Sequence, residues 1–165
     1  YMKHLKKLLA ISVLVMGLTL GGTAFAAQKY TWESYQIQFA LPDDMEVETN
    51  DSSEFVAKSS KAYFNIQPWA DASETAENIA KDSLKNLDYK NIEVVVSQEM
   101  DIQEFKGYLI YGIGESDGDK LEFALIGMID PDSANNYAVH MTIWSGDSSG
   151  SADLEQIYNS ISRMK

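Results

Sequence analysis

The sequence predicts a single α+β domain, a mainly antiparallel sheet with helices packed on its faces, over residues 27–165. Three observations predict it. Many short segments alternate apolar and polar residues with a period of two, and turn residues separate them. Two stretches switch to helical spacing, one in mid-chain and one at the C-terminal end. The later strands carry apolar residues on both faces, which a sheet with one wet face would not need.

Tyr35, Ile37, Phe39 and Leu41 alternate with polar or small residues, a strand stopped at Pro42-Asp43-Asp44. A strand over Tyr30–Glu33 is expected to pair with it. Short strands follow at Met45–Thr49, Glu54–Lys58 and Lys61–Gln67; in the last, Ala62, Phe64 and Ile66 oppose Tyr63 and Asn65. From Asp71 to Leu87 the period changes. Ala76, Ile79, Ala80, Ser83, Leu84 and Leu87 share one helical face, with acids in the first turn and Asp71 or Ser73 as the expected cap. Strands resume at Asn91–Gln98 and Gly107–Gly114. Asp117-Gly118 supplies the positive-φ residue of a tight hairpin turn into Lys120–Ile129. Asp130–Asn136 turns again into the strand Tyr137–Trp144. The loop Ser145–Ser151 is the most flexible stretch by composition, and Ser151 is expected to cap a last helix with the stripe Leu154, Ile157, Tyr158, Ile161 and Met164. On the later strands Leu121, Phe123 and Leu125 oppose Ala124, Ile126 and Met128, so both faces need cover from the two helices and the N-terminal hairpin.

Residues 1–26 read as an export signal. Lys3, Lys6 and Lys7 form a positive leader, Leu8–Leu20 an apolar run too short for a bilayer span of about 20 residues, and Ala24-Phe25-Ala26 a small-x-small cleavage site. Tyr1, ahead of the methionine, reads as a cloning scar. The chain has no cysteine, so disulfides, thiolate metal sites, cysteine nucleophiles and a lipoprotein anchor are excluded. The expected destination is the periplasm or the exterior of a bacterium, as a soluble protein. Removing those three lysines from 13 basic residues against 25 acidic ones takes the formal net charge from −12 to −15. Such a surface repels nucleic acid and anionic lipid, and leaves a basic protein or a cation as a partner.

The segment Tyr35-Gln-Ile-Gln-Phe-Ala-Leu-Pro-Asp-Asp44 and the closing helix Leu154-Glu-Gln-Ile-Tyr-Asn-Ser-Ile161 carry a resemblance in order and pattern. With the order hairpin, short strands, helix, antiparallel strands, helix, the chain resembles the PsbP-like family, named for an extrinsic subunit of photosystem II. The resemblance covers nearly all of residues 27–165. It implies an α/β/α sandwich without catalysis, acting as an accessory or binding module.

Candidate functional residues are few. His140 is the only histidine after the signal; as a general base it would need a nucleophile partner, and no G-x-S-x-G motif is present. Its simpler reading is a half-buried strand histidine with one hydrogen bond. One histidine and no cysteine do not make a zinc site, so no metal site and no cofactor are expected. Glu115, Asp117 and Asp119, or Asp130 and Asp132, could gather oxygens for calcium, but Asp117-Gly-Asp119 lacks the spacing of a calcium loop and turn chemistry explains it. Among 25 acids some pair always meets the spacing a glycosidase needs, so that count decides nothing. The aromatics Tyr63, Trp69 and Trp144 are the binding candidates, with Trp32 considered beside them; such residues are enriched at binding hot spots, and buried they would instead cap the core.

The leading reading is an exported, non-enzymatic accessory or binding domain of the bacterial envelope, whose partner is a protein or an extracellular ligand. The alternative is a small secreted hydrolase that uses paired carboxylates on a glycan or cell-wall substrate. A cleft lined by two acids, one with a raised pKa, would favour the alternative.

Overall fold

Period-two patterning at the N-terminal end becomes a hairpin. In the computed structural model, which describes residues 27–144 and 150–165, β1 (Ala27–Trp32) runs antiparallel to β2 (Ile37–Pro42), with Trp32 opposite Ile37. The export signal expected over residues 1–26, and residues 145–149 of the loop expected to be flexible, lie outside the described residues. Between the strands Glu33–Tyr35 form one 3-10 turn, closed by Gln36 at φ 55. This hairpin is the core of a separate three-stranded sheet.

Among the described residues the main sheet has seven strands. β3 (Glu46–Asn50), β4 (Phe55–Lys58) and β5 (Ala62–Trp69) form one antiparallel meander. Helix α1 (Ala76–Lys85) then crosses the sheet. β6 (Lys90–Ile102), β7 (Phe105–Ser116), β8 (Asp119–Ile129) and β9 (Asn136–Ile143) form a second meander, and β9 closes against β5. The spatial order is β3-β4-β5-β9-β8-β7-β6, with every pair antiparallel. The β7–β8 turn is the expected Asp117-Gly118, at φ 53 and 90, the two positive values that a type I′ hairpin requires. Helix α2 (Gly150–Ser160) and the short β10 (Ser162–Arg163) complete the chain.

Both faces of the sheet are covered, as the double-sided apolar pattern demands. On one face Ile110, Leu121, Phe123 and Leu125 pack under α1 with Ala80. On the other, Ala124, Ile126, Met128, Val139 and Met141 meet Ile37 and Phe39 of the small sheet and Leu154 and Ile157 of α2. The result is an α+β sandwich with one helix on each side of the sheet. Among the described residues no helix is long and apolar enough to cross a membrane.

Several boundaries differ from the sequence expectation. Helix α1 is capped by Thr75, whose hydroxyl accepts the Asn78 N–H at 3.1 Å; the Asp71 carboxylate is already spent on Ser73 in a turn upstream. Helix α2 starts at Gly150, so Ser151 lies inside it rather than capping it. It ends at Ser160, because that hydroxyl turns back to the Ile157 carbonyl at 2.6 Å and accepts the Ala40 N–H at 2.8 Å. The chain then becomes β10, pairing Arg163 with Ile37, and Met164 is exposed rather than part of a buried stripe. β6 and β7 run on to a tight turn at Gln103, φ 51, several residues beyond the expected strand ends.

Candidate functional site

Strand register brings the candidates onto one face. β5 pairs with β9 so that Tyr63 faces Thr142, Asn65 faces His140 and Gln67 faces Ala138. Alternate residues share a face, and these stand on the α1 side, opposite the apolar set Ala62, Phe64 and Ile66. The connection from α1 to β6 returns across this face and adds Tyr89.

Three polar atoms meet there. His140 Nε2 lies 3.1 Å from Tyr89 Oη and 3.1 Å from Thr142 Oγ1, and the two hydroxyls are 2.7 Å apart. The Tyr63 ring stands edge-on to the imidazole, centroids 5.2 Å apart. Thr142 is fully buried and His140 partly so. Desolvation lowers the imidazole pKa from 6.5 to about 4, so His140 is neutral at pH 7. Desolvation also raises the phenols of Tyr89 and Tyr63, the latter with help from Glu54. If a hydroxyl donates to Nε2, Nδ1 carries the proton; if Nε2–H donates, Nδ1 accepts. The ring can therefore offer either hydrogen-bond polarity without changing charge.

Beside this triangle is a cavity of about 230 Å³ between β5, β9 and the end of α1. Trp69, Tyr89 and Leu87 supply its apolar wall, and Asn65, Gln67 and Asn86 its amides, with Asp88 as its only formally charged lining residue among the described residues. Asn65 is held from behind, donating to Glu54 Oε2 at 2.9 Å. An imidazole with a pKa near 4 is a poor general base at neutral pH. The two hydroxyls at 3.1 Å from the imidazole, on Thr142 and Tyr89, are already bonded to each other, and Thr142 is fully buried. The arrangement suits recognition of a neutral or cationic group rather than covalent chemistry.

The structure brings together Tyr63, which packs on His140, and Trp69, which lines the cavity. Trp144 is not with them. It stands at the other end of the face, half-buried against the α1 core and beside a separate opening with Ser59, Ser116 and Asp119. Trp32 is wholly buried, its indole N–H donating to the Asp51 carbonyl at 2.6 Å. Sequence reasoning missed Tyr89, Gln67 and Asn86. Gln67 was legible from its phase with Tyr63; Tyr89 was not, because it sits in a connection without periodicity.

A second polar cluster lies at the start of α2. Glu122 of β8, 3% exposed, accepts hydrogen bonds from Tyr111 Oη and from the Gly150 N–H at 3.3 Å. Burial, and then the Glu122 charge, raise the Asp153 carboxyl. This is an acid pair with one raised pKa, but Glu122 is buried and engaged as the acceptor that anchors α2. Among the described residues no group of three or more His, Asp or Glu side chains is placed to hold a metal ion.

No protein-family model matches the sequence, and no curated protein matches it. Solved structures do. The Saccharomyces cerevisiae Ran-binding protein Mog1p is similar with a TM-score of 0.60 at 6% identity, over 86% of this chain and 97% of that one. The cyanobacterial PsbP (CyanoP) of Synechocystis sp. PCC 6803 is similar with a TM-score of 0.55 at 11% identity, over 90% of this chain and 99% of that one. The fold is PsbP-like. A Bacteroides thetaiotaomicron protein is similar with a TM-score of 0.53 at 13% identity. The match covers 84% of this chain but only 48% of that one, so this chain spans about half its length. At such identities the likeness shows the fold alone, and the PsbP-like scaffold assigns no residue of the His140 face a role.

Proposed function

We propose that this chain is an accessory domain, exported through a signal over residues 1–26, whose domain of residues 27–165 binds another protein of the bacterial envelope without catalysing a reaction. The observation that carries the reading is the cavity beside His140, Tyr89 and Trp69. Ordinary small-molecule sites occupy roughly 300–1,000 Å³. At about 230 Å³ this one fits a single side chain or one small ring. Among the described residues its lining has no cation, its imidazole is neutral, and its aromatic and amide groups match an inserted neutral or cationic side chain better than an anion. Mog1p, of similar fold, is a Ran-binding protein, which supports protein binding as a use this scaffold permits. Tyr63 and Trp69 are the contacts we assign to this surface; Trp144 would belong to a second contact area.

The alternative, a hydrolase with paired carboxylates, would draw on Asp153 and Glu122. The burial of Glu122 and its bonds to Tyr111 and Gly150 favour the anchoring role instead.

The test is affinity capture from an envelope extract of the source organism, with wild type and Trp69→Ala side by side and proteins identified by mass spectrometry. A dominant partner held by wild type and lost from Trp69→Ala is the expected result. Equal capture by both would remove the cavity from the reading; capture of nothing above background would remove the partner. N-terminal sequencing of the secreted product checks export, with Ala27 expected first.

A further inference from the structure

The seven-stranded sheet ends at β6, whose outer flank no strand covers among the described residues. β6 is 13 residues long, and at about 3.3 Å per residue that is an edge of roughly 40 Å. Such an edge presents unpaired N–H and C=O groups to any chain able to lie along it. The register with β7 shifts between Lys90 and Glu93 and again between Val94 and Val96, and these bulges break the first half of the edge. From Val96 to Ile102 the pairing is unbroken. That second half is a straight template.

Its side chains select the occupant. Val96, Met100 and Ile102 pack inward on the main core. Glu99 and Asp101 stand on the opposite face, across from Tyr108 and Lys106, and line an open groove of about 630 Å³ together with Glu77 of α1. Lys106 is tied to Asp101 at 2.8 Å and Lys81 to Glu77 at 2.6 Å, while Glu99 makes no ion pair among the described residues. A second copy of a chain with formal charge −12 would bring acid against acid here. A basic strand would complement it.

We propose that the β6 edge over Val96–Ile102 takes an extended basic segment of a partner protein as an eighth strand, with its lysines or arginines set against Glu99, Asp101 and Glu77. Backbone pairing would supply the affinity and the acids the choice of sequence. The inference rests on the protein-partner reading above, but at a surface separate from the His140 cavity.

The probe is a capped, fluorescein-labelled peptide of about nine alternating lysine and valine residues, titrated into the full chain by fluorescence polarisation. Saturable binding is expected, weakened about tenfold or more by Glu99→Lys with Asp101→Lys and by raising salt to about 0.5 M. N-methylation of alternate peptide bonds, which removes donors but keeps charge, is expected to abolish it. Amide exchange should slow within Val96–Ile102 when the peptide is bound. Equal affinity for the N-methylated peptide would overturn strand addition, leaving charge attraction alone. Equal affinity for a glutamate and valine peptide would overturn the basic occupant. Self-association in sedimentation that the peptide fails to compete would assign the edge to a second copy and overturn the proposal. If the peptide fails while wild type still captures a partner that Trp69→Ala loses, the edge inference falls and the cavity reading stands.

Discussion

Gly127 of β8 lies directly beneath Ala76, the first residue of α1: a Cβ on Gly127 would sit 1.9 Å from the Ala76 carbonyl oxygen and 2.9 Å from Ile79 Cβ. The helix rests on bare backbone at this point, and the contact sets the height of α1 over the sheet. Gly127→Ala must push the helix away from Phe123 and Leu125. Overpacking of this kind costs about 1–3 kcal/mol, and the clash with backbone sets the expectation at the upper end. Gly107→Ala is the comparison, since its Cβ would meet nothing nearer than 3.4 Å, and it should lower the denaturation midpoint far less. Urea melts of the two variants check the difference.

The carboxylate of Glu122 anchors the start of α2 from the sheet, taking the buried Gly150 N–H and the part-buried Tyr111 hydroxyl. The Tyr111 phenol is raised by burial and by that carboxylate, so the hydroxyl is the donor at neutral pH. Glu122→Ala leaves the buried Gly150 N–H and the part-buried Tyr111 hydroxyl without this acceptor and should cost about 1–3 kcal/mol. Tyr111→Phe removes one donor and should cost less, about 1–2 kcal/mol. If Glu122 acted instead as a catalytic acid, Glu122→Ala would remove activity with little loss of stability, an outcome that thermal melts would show.

Much of this architecture was readable from local pattern. The near-continuous apolar run in Lys120–Ile129 marks a strand buried on both faces, and Asp117-Gly118 fixes the hairpin, because both signals arise within a few residues. Gly127 was not readable: in the apolar run around it nothing distinguishes a glycine under a helix from any other. The end of α2 was misplaced because Ile161 and Met164 continue the helical spacing, while the contacts that stop the helix, from Ser160 to Ala40 and from Arg163 to β2, come from 120 or more residues away. The same division holds at the site. Tyr63, Trp69 and His140 could be named from strand phase, but their grouping depends on the β5–β9 register, and Tyr89 joins them only through the tertiary path of the α1–β6 connection.

Arg163 ties the C-terminal strand to the turn before β9. Its guanidinium bonds Asp132 at 2.7 Å and also Asp130, which is buried, and it lies 5.5 Å over the Phe105 ring. Arg163→Met would leave Asp130 buried without its counter-charge and should lower the melting temperature. Adding Asp130→Asn should restore part of the loss, the sign of a coupled pair. A double-mutant cycle in thermal melts decides it: strictly additive losses would place the effect in the Phe105 contact instead.

His140 makes stability depend on pH in a calculable direction. Its folded pKa of about 4 lies below the unfolded value of 6.5. Between those values the unfolded chain binds a proton that the folded chain refuses, so stability falls as pH drops from 6.5 to about 4. Above 6.5 the group contributes no slope, and below about 4 the loss is complete, at a ceiling of about 3 kcal/mol. His140→Gln keeps a polar side chain beside Tyr89 and Thr142 and cannot titrate. The stability difference between wild type and His140→Gln, followed by urea denaturation from pH 7 to pH 4, should therefore shift against wild type through this window. A difference that stays constant would mean that the imidazole is solvated and keeps its ordinary pKa.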